Sequence, residues 1–443
     1  MTSPARVRRV TADLVGIGGR IRTVPEDFLV EEVPLYEPAG RGDHVMFLLE
    51  KKGISTFEAL LWVSKAVKVS EHSIGYAGLK DALAVTRQWM SVAKVPPERV
   101  LAIDHPRLRV LEAAPHAARM RIGHLRGNRF TIRVRGADVS RIDAARAALE
   151  RLTARGVPNA YGVQRFGVKQ DGHEMGRAIL RGDFKEFLSH LLGRPHSDEG
   201  DPRVREARES YDRGRLEEAR ARFPMKHRIQ KQALSTLLRT GNAEAAYFSL
   251  GKRARKIYVS AYQSYLFNRC LDVRIADGTY DRLLSGDLAW LHESGALYAV
   301  ADGASEVLRA GRFEASASGP LPGYDMRRPL GRPLEIEESV LRDEGIDEEA
   351  FRAPAARTRG GRRPYRVPLT DASIEPAGGA DVVLKFTLPP GSFATIVLDE
   401  VMKTGAPPPD LAPSGVDGAR GAEGADDGEA ENLEEASDVP EGA

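Results

Sequence analysis

The segment Tyr76–Trp89, which reads YAGLKDALAVTRQW, carries the residues best suited to chemistry. Asp81 lies near its middle, directly after Lys80 and a short distance before Arg87. A carboxylate can act as a nucleophile, and neighbouring cations can hold it ionised or contact a phosphate. The same letters also fit a turn in which Asp81 caps a short helix beginning at Ala82. The local pattern alone favours the turn, so the rest of the chain must decide between the two.

Other kinds of chemistry find little support in the sequence. The ten histidines are scattered, without HExxH, paired-cysteine or His–carboxylate spacing, which argues against a metal site. Gly16, Gly18 and Gly19 neither follow a clear strand nor open a clear helix, so they indicate a flexible loop and not a dinucleotide site. No Walker loop or serine elbow is present. We therefore expect carboxylate chemistry without metal or cofactor.

The composition describes a soluble globular protein of more than one domain. The chain has 443 residues, of which 42% are hydrophobic and 29% charged, enough to build at least two cores. Its single cysteine, Cys270, excludes a disulfide framework and predicts a buried thiol in a reducing compartment. The N-terminal MTSPARVRRV is no secretory signal, and no apolar run reaches the roughly 20 residues that span a bilayer. We expect a cytoplasmic protein, and a monomer by default.

The net charge of +2 is unevenly distributed. Residues 405–443 contain eleven acidic residues and one arginine, a charge of −10, which leaves +12 on residues 1–404. The acidic segment is poor in aromatic and branched residues, so we predict that it is disordered. A basic body indicates a polyanionic partner, although a solvated arginine-rich surface would give the same charge. Arginine runs at 119–135 and 357–366 are candidate tracks for an RNA backbone.

Hydrophobic periodicity predicts the elements that would position Asp81. Strand patterns occur at Phe28–Glu32, at 45–49, at 129–135 and at 382–388. Ser55 and Glu58 have the spacing of a capping box, which predicts a helix after them. Helical patterns follow at 142–152, 201–232 and 258–273, where an aromatic stripe predicts core packing. The order predicts a sheet domain interrupted by a long insertion.

The motifs of this chain resemble those of the TruD pseudouridine synthases. Ala77–Gln88 matches the signature A-G-x-K-D-x-x-A-V-T-x-Q, with eight fixed letters in twelve positions. Further matches occur in the family's order at Pro25–Val30, Gly127–Phe130, Gln164–Gly167, Ser260–Asn268 and Leu388–Thr395. Ala160-Tyr161 departs from the Tyr-Phe usual after Pro-Asn, and similarity is weak near 185–250, which leaves the RNA target open.

The resemblance implies isomerisation of uridine to pseudouridine in tRNA, with uridine 13 as the expected site and Asp81 as the catalytic nucleophile. Asp81 could attack C1′ of the sugar, promote a glycal, or add to C6 of the base. A synthase acting on another RNA site, a tRNA-folding chaperone without activity, and a glycosidase or nucleosidase are the alternatives. The intact motif argues against the chaperone, and the lack of a second positioned acid argues against the glycosidase.

The resemblance also implies a pocket that holds the extruded base. Phe28, Asn128 and Phe393 match pocket positions of the family, and Phe130 lies close by. An aromatic ring can stack on the base, and the Asn128 amide can read the uracil edge. Phe130 could equally be core, and Asn128 could be a turn residue with positive φ. Lys80 and Arg87 are expected to hold Asp81 ionised or to contact phosphate.

The fold implied by the resemblance is α/β (α+β). It has a pseudouridine-synthase catalytic domain with a mixed, mostly antiparallel sheet, and a mixed α/β TRUD insertion domain. We expect the catalytic domain at 1–157 and 367–404, and the insertion at 158–366.

Overall fold

The computed structural model describes residues 6–196 and 199–404. These residues form two compact units. We call residues 11–154 and 368–404 the sheet unit, and residues 6–10 and 155–367 the helical unit. The domain boundaries expected from the sequence remain predictions. The acidic segment at 405–443, predicted to be disordered, lies outside the described residues.

Fourteen strands and thirteen α-helices are formed in the described parts of the chain. The strands are β1 (Phe28–Pro34), β2 (His44–Lys52), β3 (Ile74–Tyr76), β4 (Val85–Ala93), β5 (Leu108–His116), β6 (Leu125–Val134), β7 (Val157–Pro158), β8 (Leu288–Leu291), β9 (Leu297–Ala299), β10 (Ala315–Leu321), β11 (Gly361–Pro364), β12 (Arg366–Val367), β13 (Thr370–Pro376) and β14 (Val382–Leu388). The helices are α1 (Thr56–Val67), α2 (Pro97–Leu101), α3 (Ile142–Arg155), α4 (Gly172–Leu180), α5 (Phe184–Leu192), α6 (Pro202–Asp212), α7 (Leu216–Arg222), α8 (Arg228–Thr240), α9 (Ala243–Ser249), α10 (Lys252–Ala276), α11 (Val307–Gly311), α12 (Gly331–Glu344) and α13 (Ala394–Met402).

The sheet unit is built on one eight-stranded sheet. Its strand order is β13-β14-β6-β1-β4-β2-β5, with β3 paired to β4. β1 and β4 run parallel, with Leu29 opposite Val85, and the other ladders of this sheet are antiparallel. The predicted mixed, mostly antiparallel sheet and the α/β fold class are therefore confirmed.

Local sequence explains why the central strands form. On β6, Phe130, Ile132 and Val134 alternate with arginines and threonine and turn into the core, where each is at most 7% exposed. Gly127 at the start of this run is required by close approach, because a Cβ there would lie 2.5 Å from the carbonyl oxygen of Leu388 on β14. The glycine therefore lets β14 pair tightly beside the next residue, Asn128.

The helix α1 begins as the capping box predicts. The Ser55 hydroxyl accepts from the Glu58 backbone N–H at 3.2 Å, and the Glu58 carboxylate accepts from the Ser55 N–H at 2.8 Å. Its buried face, which includes Ala59, Leu60 and Val63, packs on the sheet. Thr56, the first residue of the helix, accepts from the Lys80 N–H and so ties the helix to the loop that carries Asp81.

The helical unit is organised around the long helix α10. Its predicted aromatic stripe is core, with Tyr262 and Leu266 fully buried and Tyr265 only 6% exposed. Cys270 is buried as expected. Helix α4 packs closely on it, because a Cβ at Gly176 would lie 2.3 Å from the Tyr258 carbonyl oxygen. A four-stranded sheet, ordered β11-β10-β8-β9, completes this unit.

The prediction of an RNA track at 357–366 is wrong for three of its arginines. Arg362, Arg363 and Arg366 are at most 7% exposed. Arg362 pairs with the buried Glu337 at 2.6 Å, and Arg363 donates to the Asn159 side chain at 2.6 Å. These guanidinium groups are buried in the helical unit because their partners are there. Those partners are distant in the sequence, so the local pattern does not reveal them.

Candidate active site

Asp81 lies in an irregular loop between β3 and β4. Residues 82–84 form a bend and no helix, so the alternative in which Asp81 caps a helix is wrong. Its side chain is 50% exposed. The carboxylate is therefore open to a substrate, on a segment that has no secondary structure of its own to hold it.

The partner of Asp81 is Arg22, which the sequence analysis did not single out. Its Nη2 donates to Asp81 Oδ2 at 2.6 Å, while its own side chain is only 5% exposed. The Arg22 backbone adopts φ +58°, a left-handed conformation that is costly for a residue with a side chain and is often retained at functional sites. Among the described residues its buried Nε has no hydrogen-bond partner. The guanidinium thus orients the carboxylate and balances its charge.

Two of the predicted pocket aromatics lie directly behind this pair. The Arg22 guanidinium carbon stands 4.1 Å from the centre of the Phe28 ring, and Phe28 meets Phe130 edge to face at 6.2 Å. Phe130 stacks in turn on Phe386 of β14 at 5.3 Å. Because Phe28 is 1% and Phe130 7% exposed, the two rings form an apolar floor below Arg22.

Asn128 lies on β6, between Glu32 of β1 and Leu388 of β14. It is a regular strand residue, so the alternative of a turn residue with positive φ is wrong. Its Oδ1 is buried and accepts no hydrogen bond within the described part of the chain. A buried acceptor of this kind is rare without a reason, and a ligand that donates a hydrogen bond would satisfy it.

Phe393 precedes α13 as its N-cap residue, shortly after β14. The ring is partly buried. The hydroxyl groups of Ser392 and Thr395 on either side of it are buried, and neither has a hydrogen-bond partner in the described residues. Sequence reasoning missed these two hydroxyls, whose significance appears only once their burial is known.

Lys80 and Arg87 already have carboxylate partners. Lys80 Nζ lies 2.6 Å from Glu32 Oε1, in an ion pair that is almost fully buried. Arg87 on β4 donates to Glu31 on one neighbouring strand at 2.7 Å and to Glu50 on the other at 2.8 Å, and these carboxylates raise the pKa of its guanidinium. Both side chains are thereby tied to the sheet.

The main chain of the Asp81 loop is held by Lys51 of β2. Lys51 Nζ donates to the Asp81 and Ile54 carbonyl oxygens, each at 2.7 Å. The Lys80 backbone N–H donates to the Thr56 hydroxyl at 2.9 Å. Sequence reasoning gave no signal for Lys51, because a lysine beside a strand end is ordinarily solvated.

Among residues 6–196 and 199–404, no group of three or more histidine, cysteine or acidic side chains is arranged to hold a metal ion. Within the same limits, no helix is long and apolar enough to cross a membrane.

Comparison with known proteins identifies the family of this chain. The family model for tRNA pseudouridine synthase D (TruD) matches residues 7–401. A relative named tRNA pseudouridine synthase D from Geobacter sp. (strain M21) is 44% identical over 397 residues, 89% of this chain and 99% of its own. One of the same name from Thermus thermophilus is 36% identical, over 91% of this chain and 94% of its own. The crystal structure of a TruD candidate from Methanosarcina mazei superposes with a TM-score of 0.78 at 27% identity, covering 93% of this chain and 98% of that one. The chain belongs to the TruD family of tRNA pseudouridine synthases.

Proposed function

We propose that this enzyme isomerises uridine to pseudouridine in tRNA, at uridine 13, with Asp81 as its nucleophile. The family assignment supports the reaction class. One observation supports Asp81 as the nucleophile: its carboxylate is half-exposed and forms an ion pair with the buried guanidinium of Arg22 at 2.6 Å. The guanidinium of Arg22 orients the carboxylate, and the exposed half of the Asp81 side chain is accessible to a substrate.

The chemistry follows from this geometry. The reaction breaks the bond between C1′ of the ribose and N1 of uracil, turns the base, and joins C1′ to C5, whose hydrogen leaves as a proton. A negative oxygen can attack C1′, remove a sugar proton on the way to a glycal, or add to C6. Each route needs the base outside the RNA stack, which costs a few kcal/mol. A base pocket must offset that cost.

In this proposal the base pocket consists of Asn128, Phe393 and the apolar floor of Phe28 and Phe130. The unpaired Oδ1 of Asn128 can accept the N3–H of uracil, and cytosine has no hydrogen at that position. Phe393 is the ring that stacks on the extruded base, since Phe28 is already covered by Arg22. Lys80 and Arg87 act through their ion pairs, by holding the loop and the sheet.

The test of the nucleophile is Asp81→Asn, assayed with a tRNA transcript tritiated at C5 of uridine. Because this change keeps the shape and removes the charge, we expect release of tritium to fall about a thousandfold or more, as for other single catalytic residues. Melting temperature and tRNA affinity should stay close to wild type. Turnover within about tenfold of wild type would show that Asp81 is not the nucleophile.

The test of the target site uses two transcripts that differ only at position 13. Pseudouridine should form in the transcript with uridine there and be absent from the one with cytidine. Equal formation in both would move the target elsewhere and leave the nucleophile assignment standing.

A further inference from the structure

Lys51 is a fully buried lysine in the sheet unit, with 0% of its surface exposed. Among the described residues, no carboxylate lies within ion-pair distance of its ammonium group. It donates instead to the carbonyl oxygens of Ile54 and Asp81 at 2.7 Å, with Lys80 O further away at 3.4 Å. Burying an ammonium group is expensive, and an apolar side chain would fill the space at lower cost. The stability of the sheet therefore does not explain this lysine.

The contacts of Lys51 concentrate on the loop that lacks regular structure. The Asp81 carbonyl oxygen accepts from Lys51, and the backbone N–H of the preceding residue, Lys80, donates to the Thr56 hydroxyl. Thr56 donates to Gln88 Oε1 at 3.2 Å, so this second attachment is itself fixed to β4. The Asp81 side chain is thus held by Arg22, and its main-chain carbonyl is held by Lys51.

We propose that Lys51 is a positioning residue for the reaction, whose ammonium group fixes the Asp81 peptide and so sets where the carboxylate meets the substrate. This proposal rests on the assignment of Asp81 as nucleophile. A displacement of about 1 Å in a reacting group can cost about a hundredfold in rate, so control of the peptide matters even though Lys51 touches no substrate.

The protonation of Lys51 makes its role visible in the pH dependence. Burial lowers the pKa of its ammonium group to about 7, with Asp81 and Glu58 opposing this and Lys80 adding to it. Below about pH 7 the group has its charge and three hydrogens to donate. Above it, one donor and the charge are lost, and the loop is held less firmly. Catalysis should therefore decline as pH rises through this range.

Stability should change in the opposite direction. An unfolded lysine keeps its proton up to about pH 10.5, so between about 7 and 10.5 the unfolded chain binds more protons than the folded one. The free energy of unfolding then rises with pH over that window. A lysine that served only stability would show this rise without the decline in rate.

The experiment is Lys51→Met, measured by single-turnover kinetics and tRNA binding between pH 6 and 9. We expect the rate at pH 6.5 to fall about tenfold to a hundredfold, with tRNA affinity within about threefold of wild type. The decline in rate above pH 7 should be lost. Lys52→Met is the matched control, because Lys52 is the next residue on β2, is exposed, and pairs with Glu26; its rate and pH profile should equal those of wild type.

A chemical variant covers the case in which Lys51→Met does not fold. Since Cys270 is the chain's single cysteine, Lys51→Cys in a Cys270→Ala background can be alkylated with bromoethylamine in denaturant and refolded. This restores an ammonium group that is more acidic than that of lysine. The rate should return, with its decline shifted to lower pH than in wild type carried through the same refolding.

The outcomes separate the two proposals. A folded Lys51→Met protein with the wild-type rate and pH profile would overturn the positioning role, as would an alkylated protein whose decline does not shift. Asp81→Asn, assayed in the same series, tests the nucleophile independently: if it is active, the nucleophile assignment fails, whatever Lys51 does.

Discussion

Two arginine–aspartate pairs, one in each unit, resemble each other in distance and differ in surroundings. In the helical unit, Arg274 meets Asp287 at 3.0 Å, and both side chains are 1% exposed. Arg274 also donates to the carbonyl oxygens of Thr279 and Arg282, and Asp287 accepts from the Leu284 N–H. In the sheet unit, Arg22 meets Asp81 at 2.6 Å, but that carboxylate is half-exposed.

The two pairs differ in how completely their hydrogen-bonding groups are satisfied. Around Arg274 and Asp287, hydrogen bonds from both sides enclose the pair, so it has no remaining capacity for a ligand. Around Arg22, the Nε is unpaired among the described atoms, the backbone has a left-handed φ, and the partner carboxylate faces outward. We call the Arg274–Asp287 pair closed and the Arg22–Asp81 pair open, because only the second leaves hydrogen-bonding capacity that a substrate could use.

Removing Arg274, the cation of the closed pair, should have the largest effect on stability. Arg274→Met leaves Asp287 buried without its cation, and breaking such a pair costs about 3–5 kcal/mol. We expect a large drop in the urea midpoint, with near-normal single-turnover activity in the fraction that remains folded. A variant as stable as wild type would show that the closed pair is not structural.

Removing Arg22, the cation of the open pair, should lower the catalytic rate and leave stability nearly unchanged. Arg22→Met leaves Asp81 in contact with water, so the loss of stability should be about 1 kcal/mol or less. The carboxylate loses its orientation, and we expect a single-turnover rate about a hundredfold lower. If Arg22→Met lowers the urea midpoint as much as Arg274→Met while leaving the rate intact, the contrast between the two pairs fails.

Phe393 tests whether the open region continues into a base pocket. If the ring stacks on the extruded uracil, Phe393→Ala should remove about 1–3 kcal/mol of that stacking, and the rate should fall about tenfold to a hundredfold. Overall tRNA affinity should change less, because backbone contacts remain. A ring that is only core would instead cost about 3–5 kcal/mol of stability with normal activity in the folded fraction, which thermal melting would reveal.

Elements with strong local patterns could be predicted from the sequence. β14 has the bounds Val382–Leu388 because its apolar and polar residues alternate, and α1 starts after Ser55 because the capping box is local. Asp81 was placed by a motif, which carries chemical information that periodicity lacks. For the strand and the helix the signal lies within a few consecutive residues, whereas the prediction for Asp81 needed motifs spread along the chain.

The residues that sequence reasoning missed or misplaced depend on distant partners. Arg22 is separated from Asp81 by the whole of β1, α1 and β2, and its left-handed backbone has no signature in a non-glycine residue. Lys51 is identifiable only once its burial is known. Arg362 resembled part of an RNA track because Glu337, its buried partner, lies on another element. Charge is visible in a sequence, whereas the partner of a charge is not.

Substitution of Arg87 should have the smallest effect on stability and rate. It tests the distinction between closed and open pairs on a residue that is paired but partly exposed. It lies near Asp81 in the sequence, but both of its carboxylate partners sit on neighbouring strands, so it resembles the closed pair despite being 35% exposed. Arg87→Gln should lower the free energy of unfolding by only about 0.5–1 kcal/mol, and less in high salt, because a partly exposed ion pair is screened. Single-turnover rate should stay within about twofold.

The decisive measurement for Arg87 is the salt dependence of tRNA binding. A side chain that neutralises a phosphate contributes about one unit to the slope of log K against log salt concentration. Because Glu31 and Glu50 already balance the Arg87 charge, we expect the slope of Arg87→Gln to equal that of wild type. A slope lower by about one unit would mean that tRNA takes Arg87 from its carboxylates. In that case the ion pairs of Arg87 with Glu31 and Glu50 would also belong to the RNA-binding surface. The distinction between closed and open pairs would then hold only for pairs as deeply buried as Arg274 and Asp287.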